Sequence, residues 1–188
     1  NAVTRVTGCF FEPALDYVIV KMPRWDLHKF RAASRRIGSE MKSVGEVMAI
    51  GTTFEEALQK AVRSLGLGYD GLTDPRAVGP DPDSEIAPPT DRRVFALARL
   101  LAEGRTVEEL RRRTGIDPWF LERIEEMVGA ERGFTGRTLA AASRVDLQGW
   151  KQLGFSDRAL ARGLGADEEA VRSRRCELEV RPHVRRID

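Results

Sequence analysis

The apolar positions change their spacing along the chain. From residue 16 to residue 22, Asp-Tyr-Val-Ile-Val-Lys-Met is a nearly continuous apolar run rich in β-branched and aromatic residues, and it stops at Pro23. Such a run predicts a strand, and its continuity predicts cover on both faces. Gly45-Glu-Val-Met-Ala-Ile50 predicts a second strand. Thr53-Phe-Glu-Glu56 then has the Thr-x-x-Glu spacing of a helix start, where side-chain oxygens satisfy unpaired backbone N–H groups. Ala57, Leu58, Ala61, Val62 and Leu65 continue at helical spacing until Gly66 and Gly68 stop the helix.

The pattern then breaks. Residues 66–90 hold nine Gly or Pro in 25 positions, with frequent Asp. Proline lacks the N–H that a helix or ladder needs, so this stretch predicts a linker between a unit at 1–65 and one at 91–180. The second unit reads as entirely helical. Val94, Phe95, Leu97, Ala98, Leu100 and Leu101 form an apolar face ending near Gly104. Thr106-Val-Glu-Glu109 repeats the capping spacing, and Asp117-Pro118 places an N-cap before a proline at the first helical position. Phe120, Ile124, Met127 and Val128 are assigned to the inner face of that helix. Shorter helices follow around 136–142, 146–153, 156–163 and 167–178, with Ser156 and Asp167 as caps of the last two. The expected fold class is mostly α: a small α+β N-terminal piece followed by an all-helical bundle. Helices this short bury little each, so the bundle is expected to lean on neighbours or on a second copy.

Composition narrows the function classes. In 188 residues, 31 Lys and Arg stand against 29 Asp and Glu, a net charge of +2, which argues against an electrostatic reader of nucleic acid or acidic membrane. No apolar run approaches a membrane span or a signal-peptide core. Cys9 and Cys176 lack a CxxC spacing, which removes a disulfide framework and the usual zinc sites, and fits a reducing compartment. The chain starts at Asn1 and enters a strand-like run almost at once, so it reads as an excerpt of a longer polypeptide.

Candidate chemistry is sparse. Met41-Lys-Ser-Val-Gly-Glu-Val-Met-Ala-Ile-Gly51 places Lys42, Ser43 and Glu46 beside two glycines and a strand. It reads either as the polar lining of a cavity or channel or as a β-hairpin with ordinary surface charges, and it is not a Walker loop. His28 and His183 have no spacing that makes them metal ligands, and neither cysteine has a base nearby in sequence. Residues 106–128 and 156–175 resemble helix-turn-helix units. The would-be recognition helix at 117–128 sets Asp117, Glu122, Glu125 and Glu126 against Arg123 alone, and an acidic helix is repelled by every phosphate. Arg111-Arg112-Arg113 is read as a helix C-terminus complementing the dipole.

Together these segments resemble the large subunit of carbamoyl phosphate synthetase. The likeness runs from Phe11-Glu-Pro-Ala-Leu-Asp-Tyr17 through Lys21-Met-Pro-Arg-Trp25, and is strongest at Met41–Gly51 and Ala57-Leu-Gln-Lys-Ala61. Gly115-Ile-Asp-Pro-Trp-Phe-Leu121, Ile124-Glu-Glu-Met127 and Leu153-Gly-Phe-Ser-Asp-Arg-Ala-Leu160 are similar to the family's oligomerisation domain. Val6-Thr-Gly-Cys-Phe10 departs from the family pattern, and residues 66–90 match poorly.

The resemblance implies that residues 1–65 are the tail of the first ATP-grasp domain, 91–180 an oligomerisation domain, and 181–188 the start of the connection to the second synthetase half. The parent enzyme would be a cytoplasmic ligase making carbamoyl phosphate from bicarbonate, glutamine-derived ammonia and two ATP, for arginine and pyrimidine synthesis. ATP, magnesium or manganese, and potassium are implied for that enzyme; the segment itself is expected to bind no cofactor, to hold no catalytic residue and to be inactive alone. Implied partners are the remainder of the large subunit, the glutaminase small subunit and a second copy through the helical domain, with no nucleic acid and no membrane. The resemblance also places Glu46, Met41 and Val44 along the wall of the passage that carries carbamate between the two halves. The alternatives weighed against this are a helix-turn-helix DNA-binding module and a stand-alone helical adaptor.

Overall fold

The computed structural model describes residues 2, 3, 5, 15–30 and 32–184. Cys9, the Val6–Phe10 departure, the start of the Phe11–Tyr17 motif and residues 185–188 lie outside the described residues, as does the side chain of His28. The described part is mostly helical, with one two-stranded antiparallel sheet.

Strand β1 (Val18–Arg24) pairs with β2 (Gly45–Gly51), so that Val20 faces Ala49 and Met22 faces Val47. These pairs point inward. Ile19, Ile50 and Met48 alternate with them and stand exposed on the outer face, beside Lys21 and Glu46. The expected cover on both faces is therefore not found among the described residues. Helix α1 (Phe54–Ser64) packs on one side of the sheet, and no described element packs on the other. Thr53 Oγ1 accepts the Glu56 N–H at 3.2 Å, as the spacing predicts. The Glu56 carboxylate reaches back one residue further than the standard box, to the Thr52 N–H at 2.7 Å.

The Gly/Pro-rich stretch contains a 3-10 turn at Pro75–Ala77 and a one-turn helix, α2 (Asp83–Ile86). It is packed, with Leu72, Ala77 and Ile86 fully buried. Carboxylates fasten it to the bundle that follows. That bundle comprises α3 (Arg93–Ala102), α4 (Val107–Thr114), α5 (Pro118–Phe134), α6 (Arg144–Gln152), α7 (Asp157–Leu164) and α8 (Glu168–Glu177). Asp70 takes Arg162 at 2.7 Å and also Arg158, while Asp74, whose side chain is fully buried, takes Arg76 at 2.6 Å within the stretch itself. Burial works against the Asp74 charge. Hydrogen bonds from the Arg76 side chain and from the Asp70 and Arg76 backbone N–H groups outweigh it and hold the carboxyl well below the usual range.

In the bundle, α3 presents Phe95, Leu97, Leu100 and Leu101 to the core. On α5 the inner face is Leu121, Ile124, Met127 and Val128. Phe120 is displaced from that face and lies half exposed, against Phe54 with ring centroids 5.4 Å apart. A 3-10 turn at Leu139–Ala141 stands where a helix over 136–142 was expected. Helix α6 begins two residues earlier than the spacing suggested. The cause is a complete capping box between Ser143 and Asp146, which satisfies two backbone donors reciprocally.

Asp146 also carries a pH signature. Hydrogen bonds from Arg137, then from the Ser143 backbone and hydroxyl, hold its carboxyl down to about 2 from an ordinary 3.8. A depressed folded value means the stabilisation is complete above pH 3.8 and is lost as pH falls toward 2. Thermal melts of Asp146→Asn across that window should show a smaller acid-induced fall than the parent chain. An unchanged pH slope would remove the cap from the acid response.

Candidate functional site

The segment singled out in the sequence lies on open surface. Met41 is 91% exposed, Val44 is exposed, and the Glu46 side chain, 59% exposed, pairs with Lys21 at 3.1 Å on the outer face of the sheet. The Val44 N–H donates to the Arg24 carbonyl at 2.9 Å, where β2 begins. Lys42 is folded inward instead, donating to the Arg36 carbonyl at 2.8 Å and holding the loop before β2. The structure thus brings Val44 and Glu46 to one end of β2 and leaves Met41 projecting from the loop. None of the three lines either of the two cavities described next.

One cavity, of about 410 Å³, lies between the inner sheet face, α1, α3 and α5. Val20, Met22, Phe54, Leu58, Tyr69 and Phe95 make its apolar wall. The other, of about 760 Å³, opens between α1, α6 and residues 180–184, and is basic. Lys60, Arg63, Lys151, Arg175, Arg181 and His183 line it. Lys60 is paired with Glu56 at 2.6 Å. Asp157 receives two cations, Lys151 and Arg175, each at 2.9 Å. Burial tends to raise the Asp157 carboxyl, but the hydrogen bonds from Arg175 and Lys151 prevail and lower it. Burial pushes the Lys151 ammonium below its usual range against the Asp157 hydrogen bond, and Arg175 and Arg63 add to the push. Arg63 donates to the Gly154 carbonyl at 2.8 Å and, among the described residues, has no carboxylate at ion-pair distance.

Neither cavity was legible in the sequence. The basic one joins α1 to residues about ninety positions later, and only the cationic residues themselves could have hinted at it. His183 lines it, but among the described residues no group of three or more His, Cys, Asp or Glu side chains is placed to hold a metal ion. Cys176 is a free, exposed thiol.

The arginine run at 111–113 is engaged by carboxylates, Arg111 by Glu108 of its own helix at 3.4 Å and Arg113 by Asp83 of α2. The exposed side of α5 carries Glu122, Glu125 and Glu126, so the DNA-binding reading gains no support. Among the described residues no helix is long and apolar enough to cross a membrane.

Comparison with known proteins agrees with the motifs. A family model described as the carbamoyl-phosphate synthetase large chain, oligomerisation domain, matches residues 46–179. The multifunctional protein pyrABCN of Emericella nidulans is 45% identical over the whole chain, which covers 8% of that protein. The carbamoyl phosphate synthase large chain, N-terminal section, of Methanopyrus kandleri is 43% identical over the whole chain, which covers 36% of it. The carbamoyl phosphate synthase large chain of Methanothermobacter thermautotrophicus is 42% identical over the whole chain, which covers 17% of it. The chain therefore spans well under half the length of each of these relatives.

Proposed function

Because the chain belongs to the carbamoyl-phosphate synthetase large-chain family, we propose that it works as an internal segment of a polypeptide that makes carbamoyl phosphate. The substrates would be bicarbonate, glutamine-derived ammonia and two ATP, and the product would enter arginine and pyrimidine synthesis in the cytoplasm. The observation that carries this reading is the similarity of all 188 residues to one stretch of far longer relatives. ATP, magnesium or manganese, and potassium would be held by parts of the polypeptide outside this segment.

The segment's own work would be structural. The apolar outer face of the β1–β2 sheet, with Ile19, Met48 and Ile50 exposed, suits burial against the remainder of the large chain. Glu46, Met41 and Val44 lie on that same side or its adjoining loop, which is where a passage walled by two parts of the chain would run. A second copy would associate through the helical part, and a glutaminase subunit would supply ammonia elsewhere on the assembly.

The test uses the full polypeptide. It should form carbamoyl phosphate from bicarbonate, glutamine and ATP, and failure to do so would sink the assignment. Glu46→Ala should lower carbamoyl phosphate formed per ATP consumed several-fold while bicarbonate-dependent ATP hydrolysis continues, because carbamate escapes before the second step. Equal loss of both activities would remove Glu46 from the passage.

A further inference from the structure

We infer that the cleft between α1, α6 and residues 180–184 binds a phosphate-bearing anion, with Arg63 and Arg181 as its guanidinium ligands and Lys151 and Arg175 as a fixed positive wall. This site is separate from the tunnel-wall surface and from any catalytic role assigned above. It rests first on charge. Lys60 is neutralised by Glu56, but Asp157 alone must serve both Lys151 and Arg175. Arg63 and Arg181 add two further cations that, among the described residues, meet no carboxylate at ion-pair distance, and Asp16 at the rim is the remaining acid of the lining. Within this lining and its Asp157 partner, five Lys and Arg side chains thus face three carboxylates.

Arg63, Lys151 and Arg175 are also held in place. Arg175, only 12% exposed, is fixed by Asp157 and by the Val180 carbonyl at 2.8 Å. Arg63 is fixed by the Gly154 carbonyl through one nitrogen, and among the described residues the rest of its planar fork has no hydrogen-bond partner. Like charges immobilised in a half-enclosed space repel one another, and Arg175 and Arg63 add to the burial that lowers the Lys151 ammonium. An incoming dianion would relieve the repulsion, and guanidinium groups match phosphate oxygens in pairs. The cavity, at about 760 Å³, is larger than a bare phosphate needs and lies in the range of small-molecule sites. Gln148 and Gln152 add amides to the same wall, which suits the hydroxyls of a phosphate monoester.

The experiment is hydrogen–deuterium exchange on the full polypeptide, which reads the cleft locally even where other sites also take phosphate. Ribose 5-phosphate and inorganic phosphate are titrated separately at constant ionic strength, with sulfate as the control. The expected result is saturable protection of peptides spanning 148–157 and 175–184. Tighter half-saturation by ribose 5-phosphate would assign a monoester, and equal half-saturation would assign free phosphate. Arg181→Gln changes an exposed residue and should raise the half-saturating concentration roughly tenfold, the effect of one charge-assisted hydrogen bond. Arg63→Gln should abolish the protection. Absence of protection, protection unchanged in Arg181→Gln, or equal protection by sulfate would each overturn the proposal.

Discussion

Phe134→Ala is expected to destabilise the chain by about 3–5 kcal/mol, the range for deleting a buried aromatic ring. Phe134 is fully buried at the end of α5 and sits edge-to-face against Trp150 and Phe155, with centroids 5.2 and 5.1 Å away. Those two residues belong to α6 and to the turn before α7, so a single ring joins the end of the long α5 to the short helices α6 and α7. The Cδ2–Cε2 edge of the ring lies against Gly163, where a Cβ would collide with Phe134. Because α7 approaches this closely, the surrounding helices have little room to collapse into the hole. Guanidinium unfolding should show a lowered midpoint with an unchanged slope. Phe134→Leu should lose less, since most of the volume is kept. A loss below about 1 kcal/mol for the alanine variant would mean that the bundle is not organised around this ring.

Gly154→Ala should produce a loss of about 2–4 kcal/mol by combining backbone strain with overpacking. Gly154 closes α6 with φ +84°, a conformation that a Cβ disfavours. A Cβ there would also stand 2.9 Å from both the Gln59 Cβ and the Glu56 Cα. The second of these is helix backbone and cannot move aside. Here α1 of the N-terminal unit meets the turn that follows α6, and Arg63 marks the contact by bonding the Gly154 carbonyl. Gly165 makes the control. Its φ is +62°, but open space surrounds it, so Gly165→Ala should show only the conformational part, about 1 kcal/mol. Equal losses at the two positions would mean that the contact between α1 and α6 adds nothing.

Much of the fold was legible because local rules set it. The caps at Thr53, Thr106, Asp117, Ser156 and Asp167 all bond the backbone N–H groups that their positions predict. Ser143 was missed although Ser143-x-x-Asp146 has a capping pattern, because an aspartate in place of glutamate made a weaker signal. Phe120 was misplaced because helical periodicity alone permits either 120 or 121 as the start of the apolar stripe; packing selected Leu121. The continuous apolar run at 16–22 predicted two covered faces, and the described residues supply a cover for one. For the candidate site, the sequence motif pointed to Glu46, Met41 and Val44, while the basic cleft left no local mark.

The amino-acid sequence by itself determined the element periods, the helix starts and stops, and the family, since each depends on residues close together in the chain. The tertiary structure alone decided what Asp70 and Arg63 do. Asp70 meets Arg162 across 92 positions and Arg63 meets the Gly154 carbonyl across 91. No spacing rule reaches that far. A charged side chain written on a helix surface is ordinarily solvated, and it becomes a clamp or a ligand only when folding removes the water and sets a partner in its place.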